Sequence, residues 1–171
     1  MGTFKTKEDY LKALCVAHPT VAHGTVVDGI TRNSFFRLNN DEEILAATIA
    51  NISYPAVGFA SLRGRLKDFD NSLIDIRHIF SNSWLFIQHV SMVTLTNGYT
   101  DTIQTCYDQT FAIMEDFIKS MKDDYEANGH CGAFEDFDLN KINYEMIGPV
   151  LENEYGWQLF FEDEQKATRI I

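Results

Sequence analysis

Two groups of side chains in this sequence are of types that bind metals or act as nucleophiles. Cys15, His18 and His23 share one short stretch, and His130 and Cys131 are adjacent. Zinc sites use such residues, but as ligand pairs at set short spacings. Neither group has that spacing, and two adjacent ligands are unusual. They are therefore expected to be loop and core residues, with no metal and no cofactor. Cys106 falls on the apolar side of a helical pattern and reads as core rather than as a nucleophile. Three cysteines, odd in number and widely spaced, imply no disulfide framework and fit reduced thiols in a cytoplasmic setting.

The carboxylates are the second candidate. Asp68, Asp70 and Asp75 form one acidic group, and Glu135, Asp136 and Asp138 form another, with Lys141 close behind. A metal-dependent nuclease needs acidic groups converging on a divalent ion, usually beside a lysine. It also needs a basic surface to hold its substrate, and this chain carries a formal net charge of -11. Such a surface repels nucleic-acid phosphate and anionic membranes alike. The densest basic stretch is Arg63, Arg65 and Lys67. Around Gly64 it lacks the Gly-Lys-Ser/Thr ending of a phosphate loop. No Gly-x-Ser-x-Gly elbow is present. The expectation is a protein that is not an enzyme.

The elements that must position these residues follow from periodicity. With 171 residues and 45% hydrophobic content, the chain is expected to form one domain. Residues 6–17 carry a helical stripe of Tyr10, Leu11, Leu14 and Cys15, ended by His18-Pro19. Residues 19–40, punctuated by Gly24 and Gly29, read as an extended arm, with Ser34 to Leu38 as a short strand. Another helix is expected over 41–51, stopped at Tyr54-Pro55. An extended segment, Ala56 to Leu66, follows. Its small residues suggest a strand lying close under another element.

Residues 72–80 alternate, Ser81-Asn82-Ser83 reads as a turn, and Trp84 to Leu95 reads as the returning strand of a hairpin. Trp84 to Ile87 is apolar on both faces, which suits a central strand. Asn97-Gly98 reads as a break, and Asp101 with Gln104 as a capping box. The long helix behind it bears Ile103, Tyr107, Phe111, Met114, Phe117, Ile118, Met121 and Tyr125 at three- and four-residue spacing, to Asn128-Gly129. Strands are expected over Leu139–Ile147 and Tyr155–Phe161, with 164–171 a mobile tail. The fold class is therefore α+β. It is a mainly antiparallel sheet of four to five strands, with one long amphipathic helix and N-terminal helices packed on it. Nothing in the first residues has the apolar core of a signal peptide, and no apolar run approaches the ~20 residues needed to span a bilayer.

Most aromatic residues fall on these stripes and are expected in the core. Phe35 and Phe36 stand apart in the arm. Two adjacent rings cannot both face one core, so either one anchors against a neighbour or the pair pins the arm locally. Phe35, Phe36, Arg63 and Arg65 are the candidate subunit-contact residues.

The order of elements, with Tyr54-Pro55 opening the first long strand, a long amphipathic helix across the sheet, and a closing strand Glu154-Tyr155-Gly156-Trp157-Gln158-Leu159-Phe160-Phe161, resembles the tail terminator proteins of tailed bacteriophages and the cap proteins of related injection machines. The resemblance covers roughly residues 41–163 and leaves the 19–40 arm unplaced. It implies a structural virion protein, assembled in the host cytoplasm, that forms a ring (commonly a hexamer) on the end of the tail tube. Its partners would be its own copies, tail-tube protein and head-connector protein. DNA would pass by without specific binding. A metal-dependent nuclease and an acidic adaptor for a basic partner are the alternatives.

Overall fold

The computed structural model describes residues 4–38, 51–69, 75–130, 134, 136–150 and 153–166. Helix α1 spans Phe4–Ala17. A small hairpin of β1 (Val26–Val27) and β2 (Ile30–Thr31) follows, then the short strand β3 (Phe35–Arg37) and the long strands β4 (Ala56–Asp68) and β5 (Ile76–His89). Helix α2 spans Met92–Asn128. A 3-10 turn at Leu139–Lys141 leads into β6 (Asn143–Val150), and β7 (Glu154–Lys166) closes the order. The main sheet has five strands in the order β3-β4-β5-β7-β6. Only β3–β4 is parallel; the other three pairs are antiparallel. This is the α+β fold expected, with the long helix and the antiparallel sheet in place.

The two faces of β5 explain its apolar run. Trp84 and Phe86 point into the core beneath the helices, with Leu11 and Cys15 of α1 and Met114, Phe117 and Met121 of α2. Leu85 and Ile87 point to the other face, where they pack with Phe36, Ala56 and the partly buried Ile147 and Val150. A strand buried on both sides must be apolar at successive positions. Edge-on aromatic pairs tie helix to sheet, such as Phe86–Phe117 at 5.3 Å and Phe111–Trp157 at 5.0 Å between ring centres. The Tyr107 carbonyl of the helix also accepts a hydrogen bond from the Trp157 Nε1–H at 3.0 Å. Its solvent side is the expected charged one, with Asp108, Glu115, Lys119, Lys122 and Asp123 exposed.

The small residues of β4 have the expected reason. A Cβ at Gly58 would overlap the ring of Phe36, which lies across the strand. At the far edge, β6 carries Gly148-Pro149 within the strand. A proline there withholds one N–H from the outer edge, a common guard against edge-to-edge pairing.

Several expectations are corrected. Ser81-Asn82-Ser83 is not a turn: these residues sit mid-strand in β5, opposite Arg63, Leu62 and Ser61, so the hairpin is β4–β5. Asn97-Gly98 lies inside α2, which begins at Met92, so Asp101 is an interior residue and not a cap. A helical glycine costs only about 1 kcal/mol, which continuing backbone hydrogen bonds offset. The expected tail is partly strand: β7 runs to Lys166 and stays paired with β5, and Asp163 and Gln165 are buried. Within the arm, the short strand expected at Ser34 to Leu38 is present as β3, which pairs with β4. The helix expected over 41–51 lies outside the described residues except Asn51, which is in a turn.

Candidate functional site

Of the side chains whose types could bind a metal or act as a nucleophile, Cys15, His18, His23 and Cys106 are engaged in the packing and hydrogen bonding of the fold. The His18 Nδ1 accepts from the Thr20 and Val21 N–H groups, and its Nε2 lies 3.2 Å from Asp116. The His23 Nδ1 accepts from the N–H groups of Ser34 and Phe35, both at 3.2 Å. Burial, with Lys12 nearby, lowers the His23 pKa. Cys15 and Cys106 are buried free thiols, and burial raises both their pKa values. Cys131, Asp70 and Glu135 lie outside the described residues. His130 is exposed.

Of the acidic groups, Asp75, Asp136 and Asp138 have local partners. The Asp138 carboxylate caps the 3-10 turn by accepting from the Asn140 N–H at 2.9 Å. Asp136 and Glu164 both approach the Lys141 ammonium, at 3.3 and 3.7 Å. The Arg77 guanidinium bridges Asp75 and Glu164. Among the described residues no three His, Cys, Asp or Glu side chains converge as metal ligands must.

Of the four candidate contact residues, Phe35 and Phe36 are buried within the chain itself. Side chains alternate along a strand, so Phe35 faces the core under the helices and Phe36 the opposite cluster. The pair pins β3 to both faces, and neither ring is offered to a neighbour. Arg63 and Arg65 lie mid-strand in β4, not in a loop tip. Both are exposed, with Arg65 3.5 Å from Glu162.

Two polar clusters were not legible beforehand. At one end of the sheet the buried Glu154 accepts from the Tyr54 hydroxyl at 2.9 Å and the Asn153 N–H at 3.0 Å, and lies 3.0 Å from the His89 Nδ1. These partners belong to three different segments, so the carboxylate acts as a clasp. In the core, the Lys7 ammonium meets the Asp163 carboxylate at 2.5 Å, with both side chains at most 1% exposed. The Asn82 and Gln165 amides donate to the same carboxylate at 2.9 and 3.2 Å. The Lys7 head lies 4.3 Å from the centre of the Phe134 ring.

The surface offers two apolar features, a hairpin that leads into β3 and a groove beside β6. Near the β3 edge, the β1–β2 hairpin exposes Val26 and Ile30 at 65% and 71%, with Val27 also exposed. Its turn is Asp28-Gly29, with φ of 51° and 79°. Positive φ at both central positions fits a tight hairpin turn, for which Asp-Gly is a preferred pair. At the β6 edge, a groove of about 310 Å³ runs between α2 and β6. It is lined by Phe111, Met114, Ile118, Leu139 and Tyr144 among others, with Lys119 and Lys122 also in its wall. Tyr144 and its strand neighbour Met146 are about half exposed, at 51% and 53%.

No protein-family model, curated protein or solved structure matches the chain. The hairpin and the groove are two apolar surface features among the described residues. Scattered exposed apolar residues are ordinary, but contiguous ones on a projecting tip and in a groove mark contact sites. No helix among the described residues is long and apolar enough to cross a membrane.

Proposed function

We propose that this protein is a structural assembly component rather than an enzyme. In this reading it is a tail terminator or neck protein that forms a ring at the end of a phage-type tail tube, within the virion, and joins the tube to the head. The observation that carries the reading is the pair of unlike apolar surfaces, the β1–β2 hairpin and the groove beside β6. Two different patches favour a head-to-tail contact, and such contacts close into rings when the rotation between neighbours allows. A self-complementary patch would instead favour a two-fold dimer.

Two further points support the reading. The order of elements resembles that family, with the long helix lying across an antiparallel sheet. The net charge of -11 suits the wall of a channel through which a duplex must slide without sticking. The test is molar mass in solution by light scattering at rising concentration, with binding to tail-tube protein measured alongside. A closed oligomer that binds the tube is expected. A strict monomer at high concentration with no tube binding overturns the reading.

A further inference from the structure

We infer that the β1–β2 hairpin tip of one copy seats in the α2–β6 groove of the next copy, with Asp28 meeting Lys119 and Lys122. The contact rests on the ring reading above and names the surfaces that would make it.

Three properties make the tip and the groove complementary. The first is polarity. The tip offers Val26, Val27 and Ile30, all exposed, and the groove offers Phe111, Met114, Ile118, Leu139 and Tyr144. Its volume of about 310 Å³ is at the low end of small-ligand pockets, so it takes a few branched side chains rather than a whole helix.

The second is charge. The tip carries one carboxylate, Asp28, at its turn. The groove holds two ammoniums and one carboxylate, Glu115. Lys122 is paired with Glu126 on the helix surface at 2.7 Å, whereas Lys119 has no ion pair among the described residues. In so acidic a chain, an apolar groove with two lysines is a selective seat for an acidic tip. Like charges elsewhere on the surface disfavour other dockings.

The third is placement. The hairpin leads into β3, at one edge of the five-stranded sheet, and the groove borders β6, at the other edge. No residue of the tip lines the groove of its own chain, so the groove is open to the tip of another copy. The tight Asp-Gly turn holds the tip in one shape, so little ordering is needed on docking. One tip is still a small contact, below the area of a stable two-body interface. Ring closure compensates, because a subunit inside a closed ring is held by two such contacts at once.

The test uses charge reversal at exposed positions on the full chain. The Asp28→Lys variant and the Lys119→Glu/Lys122→Glu variant are compared with the parent by light scattering and sedimentation velocity at low salt. Each variant alone should raise the concentration needed for assembly about tenfold or more. Mixed one to one, they should assemble again, because a basic tip then meets an acidic groove and an acidic tip a basic groove. Ile30→Ser, which leaves all charges in place, should also weaken assembly. If the parent is a monomer throughout, the ring and the contact fall together. If the parent assembles and neither the charge variants nor Ile30→Ser changes it, the contact is wrong and the ring reading stands. If the charge variants weaken assembly but the mixture does not recover it, the charges act without a specific seat, and the contact is again wrong.

Discussion

Replacing Lys7 by methionine would leave a carboxylate in the core without its ammonium. The methionine keeps most of the apolar stem, so packing against Phe80 and Phe134 is largely preserved and the lost charge is isolated as the cause. Asp163 then retains the amide donors of Asn82 and Gln165 but no cation from Lys7. Removing one partner of a fully buried ion pair costs about 3–5 kcal/mol, because the remaining charge keeps its desolvation penalty and loses its compensation. That is a third or more of the total stability of a small domain. At this chain length each kcal/mol lowers Tm by about 2–4 °C, so the expected fall is roughly 6–20 °C.

Equilibrium urea unfolding, followed by the fluorescence of Trp84 and Trp157, measures the change. The denaturant slope should stay constant, since the native surface is unchanged. The double variant Lys7→Met/Asp163→Leu should recover much of the loss, because Asn82 keeps the Phe80 and Phe161 carbonyls as acceptors. A loss below about 1 kcal/mol for Lys7→Met, with the two changes additive, would mean that the ammonium reaches water and that the pair does not hold α1 to β7.

Three other predictions test separate parts of the fold. His23 accepts two N–H groups through a neutral ring nitrogen, and its pKa is lowered below the usual 6.5 by burial, with Lys12 adding to it. Protonation therefore favours the unfolded chain: the His23 contribution is fully present above about pH 6.5 and drains away as pH falls toward the lowered value. His23→Gln should flatten the dependence of the urea midpoint on pH between about 5 and 7.5, and an unchanged slope would refute this. Gly156→Ala should cost about 3 kcal/mol or prevent folding, because its Cβ would overlap the Phe86 carbonyl oxygen in the neighbouring strand, and backbone cannot swing aside. A variant with parental urea stability would show that β5 and β7 lie further apart. Burial pushes the thiols of Cys15 and Cys106 up and shields them, so both should resist alkylation in the native protein and react in urea. Peptide mapping that finds native Cys15 labelled quickly would contradict its place under the sheet.

Long-period patterns were legible in the sequence, and tertiary polar partnerships were not. The stripe of α2 showed because Tyr107, Phe111, Met114, Phe117, Ile118 and Met121 meet a flat sheet along the whole length. Trp84 to Ile87 showed because burial on both faces leaves no polar position. Ser81-Asn82-Ser83 misled because three polar residues in a row resemble a turn. In β5 each has a partner far away in sequence: Ser81 donates to Glu162, Asn82 to Asp163, and Ser83 accepts from Gln158. No local window contains those partners.

The buried Lys7 left a faint signal that charge obscured. It sits one turn before Leu11, on the apolar stripe of α1, and Asp163 continues the inward alternation of Trp157, Leu159 and Phe161. The exposed apolar tip was missed for a related reason. Phe35 and Phe36 drew attention by their size, yet both are buried. The exposed tip is made of strands only two residues long, too short to show alternation, although Asp28-Gly29 is a strong turn pair.

The order β4-β5-β7 has a consequence for how the chain is made. β5 finds its first partner, β4, just before it in the sequence, but its second partner is β7, which leaves the ribosome only after all of α2 and β6. At ordinary synthesis rates that interval lasts several seconds. Throughout it, Trp84, Leu85, Phe86 and Ile87 lie along an unpaired strand edge, the kind of edge on which nascent chains associate wrongly. The Lys7–Asp163 pair is likewise out of reach until β7 emerges, so α1 waits nearly the whole length of synthesis for its anchor. The yield of folded chain would then be limited less by the finished core than by how well the cell protects that one strand while its partner is being made.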